Sequence, residues 1–355
     1  MTPFTEFAPL TSNSFRLADF AYDLPEEAIA QEPAEPRSSA RLLVDLARPG
    51  DPDASRTVAD LPSLLEPGDV VVVNETKVLP ARMHLRKATG GAAEVLLLEP
   101  DGDPSSGVWQ ALVRPARRLQ PSTVLYGEDG TAVVEVGERL PDDPSRVRVK
   151  VLADDPGRHG VVPLPPYIHA ELADANRYQT VYARSPGSVA APTAGLHLTD
   201  EILRQLEQNG VAVHRVDLAV GLDTFRPIAV DDVADHQMHS ERYRVPEETL
   251  DACRSATGRV VAIGTTSVRA LESAAARNEL HGRTDLFIQP GFEFQVVDVL
   301  LTNFHLPKSS LLVLLSAFAG HDRWRRLYDL ALSERFRFLS FGDAMLVRRA
   351  ESSDE

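Results

Sequence analysis

A chain of 355 residues is long for a single hydrophobic core and predicts two domains, or one domain carrying an insertion. Its 43% hydrophobic and 25% charged residues suit a globular protein, and a formal net charge of −15 argues against a broad electropositive nucleic-acid footprint. Cys253 is the only cysteine, which excludes an internal disulfide and a cysteine-cage zinc site.

Residues 1–14 have no periodicity and are expected to be disordered; they have neither the basic start nor the apolar core of a signal peptide. Pro25 opens a short helical turn with Glu26 and Glu27 behind it. Arg41–Leu46 reads as a strand, Leu61–Leu65 as a brief helix stopped by Pro67-Gly68, and Val70–Val73 as a buried strand. From Val78 to Leu152 the pattern changes. Short β-rich runs (Arg82–Leu85, Ala93–Leu98, Trp109–Val113, Val133–Val136, Val147–Val151) alternate with Gly- and Pro-bearing turns, and no helical period interrupts them. That spacing predicts a small barrel or sandwich. Beyond Gly157, helices and strands alternate again. Thr199 caps a helix over Asp200–Gln208 that Gly210 ends, Val211–Leu218 is a strand, and Pro246 opens a further helix. Leu311–Ala319 is greasy but too short to span a bilayer, and the acidic end Glu351–Glu355 is expected to be disordered. The fold class is therefore mixed α/β: a main domain over residues 15–77 and 153–350, with a small all-β, barrel-like domain inserted over 78–152. A cytoplasmic location and no membrane contact are expected.

The run Arg259–Glu272 carries the sharpest chemical signal. An apolar strand, Val260–Ile263, ends at Gly264; Thr265, Thr266 and Ser267 follow, and a helix begins with Arg269. Glycine lets the backbone approach a ligand, and hydroxyls beside the free N–H groups of a helix start form an anion site. His197, on a Pro/Gly-bearing loop, is an acid–base candidate. His305, with Asn303 and Lys308 near it, could hold a carboxylate or a developing anion. His236-x-x-His239 with Glu241 lacks the H-E-x-x-H spacing of zinc hydrolases, so no metal is expected there. The patterns G-x-G-x-x-G and G-x-x-x-x-G-K-[ST] are absent, which argues against a Rossmann dinucleotide site and a P-loop.

Seven further strings accompany that run in fixed order: V-N-E-T-K-V-L-P-A-R (Val73–Arg82), P-L-P-P-Y-I (Pro163–Ile168), G-S-V-A-A-P-T-A-G-L-H-L-T-D (Gly187–Asp200), H-Q-M-H-S-E (His236–Glu241), D-V-L-L-T-N-F-H-L-P-K-S-S-L-L (Asp298–Leu312), then S-A-F-A-G and F-G-D-A-M (Ser316–Gly320, Phe341–Met345). From about Leu17 to Val347 the chain resembles the S-adenosylmethionine:tRNA ribosyltransferase-isomerases of the queuosine pathway. The resemblance implies that the ribosyl part of S-adenosylmethionine moves to 7-aminomethyl-7-deazaguanine at the tRNA wobble position. Rearrangement to an epoxycyclopentane then gives epoxyqueuosine and releases adenine and methionine. It implies no metal, and it places Asn74, Lys77, Arg82, His236, His239 and Glu241 along the substrate cleft. Thr265, Thr266, Ser267 and Arg269 then suit the methionine carboxylate, and His197, His305 and Asn303 suit proton transfer and adenine departure.

Four departures from the family pattern bear on the acceptor: Ala219 replaces a histidine, Asp223 a glycine, Leu198 an aromatic, and His169-Ala170 stands where an arginine is usual. Two alternatives therefore stay open, the same chemistry on a non-tRNA deazapurine and a non-catalytic nucleotide- or tRNA-binding relative. A monomer is expected. Against the acidic background, two Arg-rich stretches could contact phosphates: Arg323, Arg325 and Arg326 beside Trp324, and the acid-free Trp109–Ser122 with Arg114, Arg117 and Arg118.

Overall fold

The computed structural model describes residues 15–221 and 228–351. The lead 1–14, the tail residues 352–355 and residues 222–227, with the altered position Asp223, lie outside the described residues.

Four valines in succession, Val70–Val73, explain the centre of the molecule. Side chains alternate along a strand, so Val70 and Val72 enter one hydrophobic cluster while Val71 and Val73 enter another on the opposite face. The same division holds for Val260–Ile263 and Val299–Asn303, which is why these strands read as unbroken apolar runs rather than alternating ones. They lie in a nine-stranded mixed sheet in the order His281–Thr284, Glu241–Arg244, Ala212–Leu218, Val70–Asn74, Val260–Ile263, Val299–Asn303, Ala344–Arg348, Arg41–Asp45, Asp53–Thr57. The four strands from Ala212–Leu218 to Val299–Asn303 run parallel, so Leu218, Asn74, Gly264 and Asn303 end up along one edge. The helix Thr265–Arg277 packs one face, and Ser310–Ala319, the greasy run, is a buried helix of the same core.

The inserted module is a closed barrel. Strands Arg82–Lys87, Ala92–Pro100, Val108–Arg114, Val147–Val151, Ala132–Arg139 and Val124–Tyr126 pair in that order, and Arg86 opposite Tyr126 closes the ring. Its core is small and aliphatic, centred on Met83, Val95, Leu125, Val133 and Val134. Closure leaves no edge strand open within the ring. Two strands that the sequence pattern does not show, Val124–Tyr126 and Gly160–Val161, are three and two residues long, too short to display a period. Where the chain passes to the barrel, Thr76–Val78 pairs in parallel with the returning Ser185–Ser188, and Leu79 N donates to Ser188 O at 3.0 Å. No helix among the described residues is long and apolar enough to cross a membrane.

Candidate active site

Ligands of open parallel sheets bind beyond the carboxyl ends of the strands, and the residues singled out by the sequence collect at that edge. Gly264 adopts φ 86°, a conformation that favours glycine, and its N–H donates to Leu301 O at 2.7 Å. The helix Thr265–Arg277 starts there with no side-chain cap, so its first N–H groups face the strand ends. The three hydroxyls are not equivalent. Ser267 is fully buried and donates to Ile263 O at 2.7 Å, which seals the turn and takes it out of contact with any ligand. Thr266 Oγ1 is buried without a partner among the described residues. Three residues on, hence on the same helix face, Arg269 pairs through Nη1 with Glu241 and donates from Nε to Leu286 O at 3.2 Å, while Nη2 has no partner. Orphaned buried donors at one helix start suit an anionic group such as a carboxylate.

His197 sits at the end of the turn Thr193–His197, which packs over the end of Val299–Asn303. Arg37 pins that turn from below, donating to Leu196 O at 3.0 Å and Gln179 O at 2.9 Å. Asn303 fixes the imidazole: its Nδ2 reaches His197 Nε2 at 3.1 Å and Asp343 O at 3.3 Å, while Thr193 Oγ1 donates to its Oδ1 at 2.8 Å. Because the Asp343 carbonyl can only accept, Asn303 must present its NH2 here, His197 Nε2 accepts, and the ring proton sits on Nδ1. Burial, with Arg337, Arg177 and Arg37 adding to it, holds the His197 pKa down to about 3. At neutral pH it is an uncharged N–H donor.

The other candidates divide. His305 is 7% exposed; its ring Nε2 lies 2.9 Å from Thr302 Oγ1, on the strand Val299–Asn303, and its backbone is held by Tyr328 and Tyr22. Burial alone lowers its pKa to about 3. Asn74 is fully buried and clamps two strand ends, donating to Leu218 O and accepting from Leu218 N, both at 3.0 Å. Lys77 is exposed, and Arg82 is partly buried at the base of the barrel with Nε unpartnered.

His236, His239 and Glu241 all line the wall of a cavity of about 270 Å³ between the barrel and the sheet edge. Glu241 forms part of that wall, accepting from Gly221 N at 2.9 Å and from Arg269. His236 packs edge-on against Phe287, and burial followed by His239 lowers its pKa. The barrel supplies the opposite wall through Leu98, Glu99 and Arg146. Arg283 bridges the gap, donating to Glu99 at 2.8 and 3.3 Å. This contribution had no signal in the sequence, because charged residues on outward barrel positions read as ordinary surface. Among the described residues no three His, Cys, Asp or Glu side chains gather as a metal-ligand group.

A family model described as queuosine biosynthesis protein matches residues 17–347. The chain belongs to that family. Its relatives include proteins named S-adenosylmethionine:tRNA ribosyltransferase-isomerase from Symbiobacterium thermophilum and Azoarcus sp. (strain BH72), each 49% identical over 94% of this chain and over 99% and 97% of theirs. A crystal structure of S-adenosylmethionine tRNA ribosyltransferase from Thermotoga maritima is similar with a TM-score of 0.53 and 35% identity, over 93% of this chain and 99% of that one.

Within this family frame, the altered positions separate. Ala219 lines the cavity, so loss of an imidazole there widens the cleft wall. Leu198 is wholly buried in the core, where an aromatic-to-leucine exchange changes packing and leaves the cleft untouched. His169 is exposed. One Arg-rich stretch is also corrected. Trp324 is fully buried and cannot stack on a base; Arg323 is spent on Asp45 and Arg348 O, and Arg325 on His321 and Asp19 O. The helix His321–Ser333 carries an amphipathic pattern whose aromatic side faces the core, and only Arg326 of the trio is exposed and unengaged among the described residues.

Proposed function

We propose that this protein transfers and isomerises the ribosyl part of S-adenosylmethionine onto 7-aminomethyl-7-deazaguanine at the tRNA wobble position, giving epoxyqueuosine with release of adenine and methionine. The observation that carries the reading is the family match over residues 17–347. It works in the cytoplasm, where its tRNA substrate is, and as a monomer.

The reaction asks for three things: a base for the proton that the sulfonium acidifies, a donor for the departing adenine, and a site for the methionine carboxylate. Thr266 and Arg269 suit the carboxylate, because each keeps a buried polar atom without a partner at the helix start. His197 suits the adenine: Asn303 holds its Nε2, which leaves Nδ1–H as a donor in a water-poor setting. His236 suits the base, since its depressed pKa keeps it unprotonated at neutral pH on the cleft wall. Asn74 and His305 brace these elements rather than meet substrate. Incubating the protein with S-adenosylmethionine and tRNA carrying the 7-aminomethyl base should release adenine and methionine in equal amounts. Release with a free deazapurine in place of tRNA, or no release at all, would defeat the proposal.

A further inference from the structure

Arg114, Arg117 and Arg118 are all exposed, and none of their side chains makes a hydrogen bond or ion pair among the described residues. The backbone beneath them is firmly held. Lys87 Nζ donates to Arg118 O at 2.9 Å, Arg139 Nη2 donates to Ala116 O at 2.9 Å, and Arg118 N closes on Pro115 O at 3.0 Å. Two more cations thus cover the carbonyls of the Ala116–Arg118 turn, which leaves a rim of positive charge with the guanidinium groups directed to solvent. From Val108 to Gly127 the sequence contains no acid, in a chain whose net charge is −15. Glu94, opposite Arg114 on the neighbouring strand, is the nearest counter-charge along the ladder.

The rim is also correctly placed. Residues alternate along Val108–Arg114, so Gln110, Leu112 and Arg114 share the outward face, and Gln110 Oε1 accepts from Arg146, a residue of the cavity wall, at 3.3 Å. Four residues of strand separate Gln110 from Arg114, about 13 Å at ~3.3 Å per residue. That is the distance over which an RNA strand places two or three phosphates. A nucleic-acid chain with one base in the cleft therefore has its neighbouring backbone at the rim. An unspent guanidinium fork is the group that suits a phosphate oxygen pair.

We propose that Arg114, Arg117 and Arg118 form the phosphate-docking surface that seats tRNA on the barrel while its wobble base occupies the cleft. This rests on the tRNA-modifying function proposed above. The three arginines act on RNA binding alone and touch neither S-adenosylmethionine nor the reacting atoms.

The test compares the parent protein with two triple variants, Arg114→Ala/Arg117→Ala/Arg118→Ala and the corresponding three-lysine exchange, and with Arg326→Ala as an exposed-arginine control. The probe is full-length tRNA bearing 7-aminomethyl-7-deazaguanine, titrated by fluorescence anisotropy from about 0.05 to 0.3 M salt. Each phosphate contact contributes ~0.7–0.9 to the log–log slope, so the alanine variant should lose about 2–3 from the slope and bind at least ~10-fold more weakly at 0.1 M salt. Its KM for tRNA should rise by the same factor, with kcat at saturating tRNA and the S-adenosylmethionine Kd unchanged. The lysine variant should keep the parent slope, and Arg326→Ala should match the parent throughout. A parent-like slope and affinity in the alanine variant, or an equal loss in the lysine variant, would overturn the docking surface while adenine release by the parent still supported the function. Failure of the parent itself to bind tRNA or release adenine would remove both.

Discussion

Replacing Glu241 by glutamine should be among the most costly single changes in the main domain. The Arg269–Glu241 pair has side chains only 5% and 7% exposed, and Arg269 Nη2 already lacks a partner. Glutamine keeps the shape and can still accept from Gly221 N, so packing is conserved and the charge is the variable. What remains is a guanidinium that has lost both its counter-ion and access to water. Breaking one side of such a pair costs about 3–5 kcal/mol, whereas replacing both partners with apolar groups of similar volume is neutral or stabilising by about 1–4 kcal/mol. Glu241→Gln should therefore lose most of that amount, and Glu241→Leu/Arg269→Met should recover it. Urea unfolding measures this cleanly because the two tryptophans divide between the domains: Trp109 lies in the barrel and Trp324 in the main-domain core. A Trp109→Phe background leaves Trp324 as the reporter of the main domain and avoids mixing two transitions. If Glu241→Gln falls within about 1 kcal/mol of its parent, the pair is solvated and the account of the cleft wall is wrong. The double variant should fold yet bind S-adenosylmethionine poorly, which separates structure from function.

Acid should destabilise the fold well before the carboxylates titrate. His197 and His305 have folded pKa values of about 3 against an unfolded value of about 6.5, so the unfolded chain binds protons that the native state refuses. Stability is fully present above pH ~6.5 and falls as pH drops toward 3; at pH 5 each histidine contributes a loss of about 2 kcal/mol. Urea midpoints that stay flat from pH 7 to pH 5 would contradict this, and a His305→Gln variant that still folds should show roughly half the slope. For catalysis, the lowered pKa of His236 predicts that kcat/KM declines on the acid side, below the ordinary histidine pKa, and that His236→Asn removes this limb along with most activity. A limb that survives in His236→Asn would assign the proton to another group.

Much of the architecture was written in local pattern. The apolar runs Val70–Val73 and Val260–Ile263 marked strands buried on both faces, Thr199 and Gly210 bounded the helix Asp200–Gln208, and the change in period after Val78 marked the barrel. The site was less legible, because a polar residue in a motif reveals its type and not its orientation. Ser267 belongs to the same hydroxyl run as Thr266, yet one bonds back to Ile263 O while the other stays open. His197 and His305 look alike in sequence, each beside Leu in a Pro-bearing loop; only the fold ties one ring to Asn303 and the other to Thr302, with Tyr328 holding the His305 backbone. Arg323 failed as an RNA contact for a related reason, since its partner Asp45 lies 278 positions away. The barrel's share of the cleft depends on how two domains meet, which no local window encodes.

The central claim is tested most directly by following S-adenosylmethionine carrying a label in its ribosyl carbons through a single incubation with tRNA bearing 7-aminomethyl-7-deazaguanine. The account predicts that the label becomes fixed in the tRNA as epoxyqueuosine while adenine and methionine appear in solution, one of each per modified nucleoside. Label that remains in free S-adenosylmethionine, or that leaves with a small deazapurine while the tRNA stays unmodified, would contradict it.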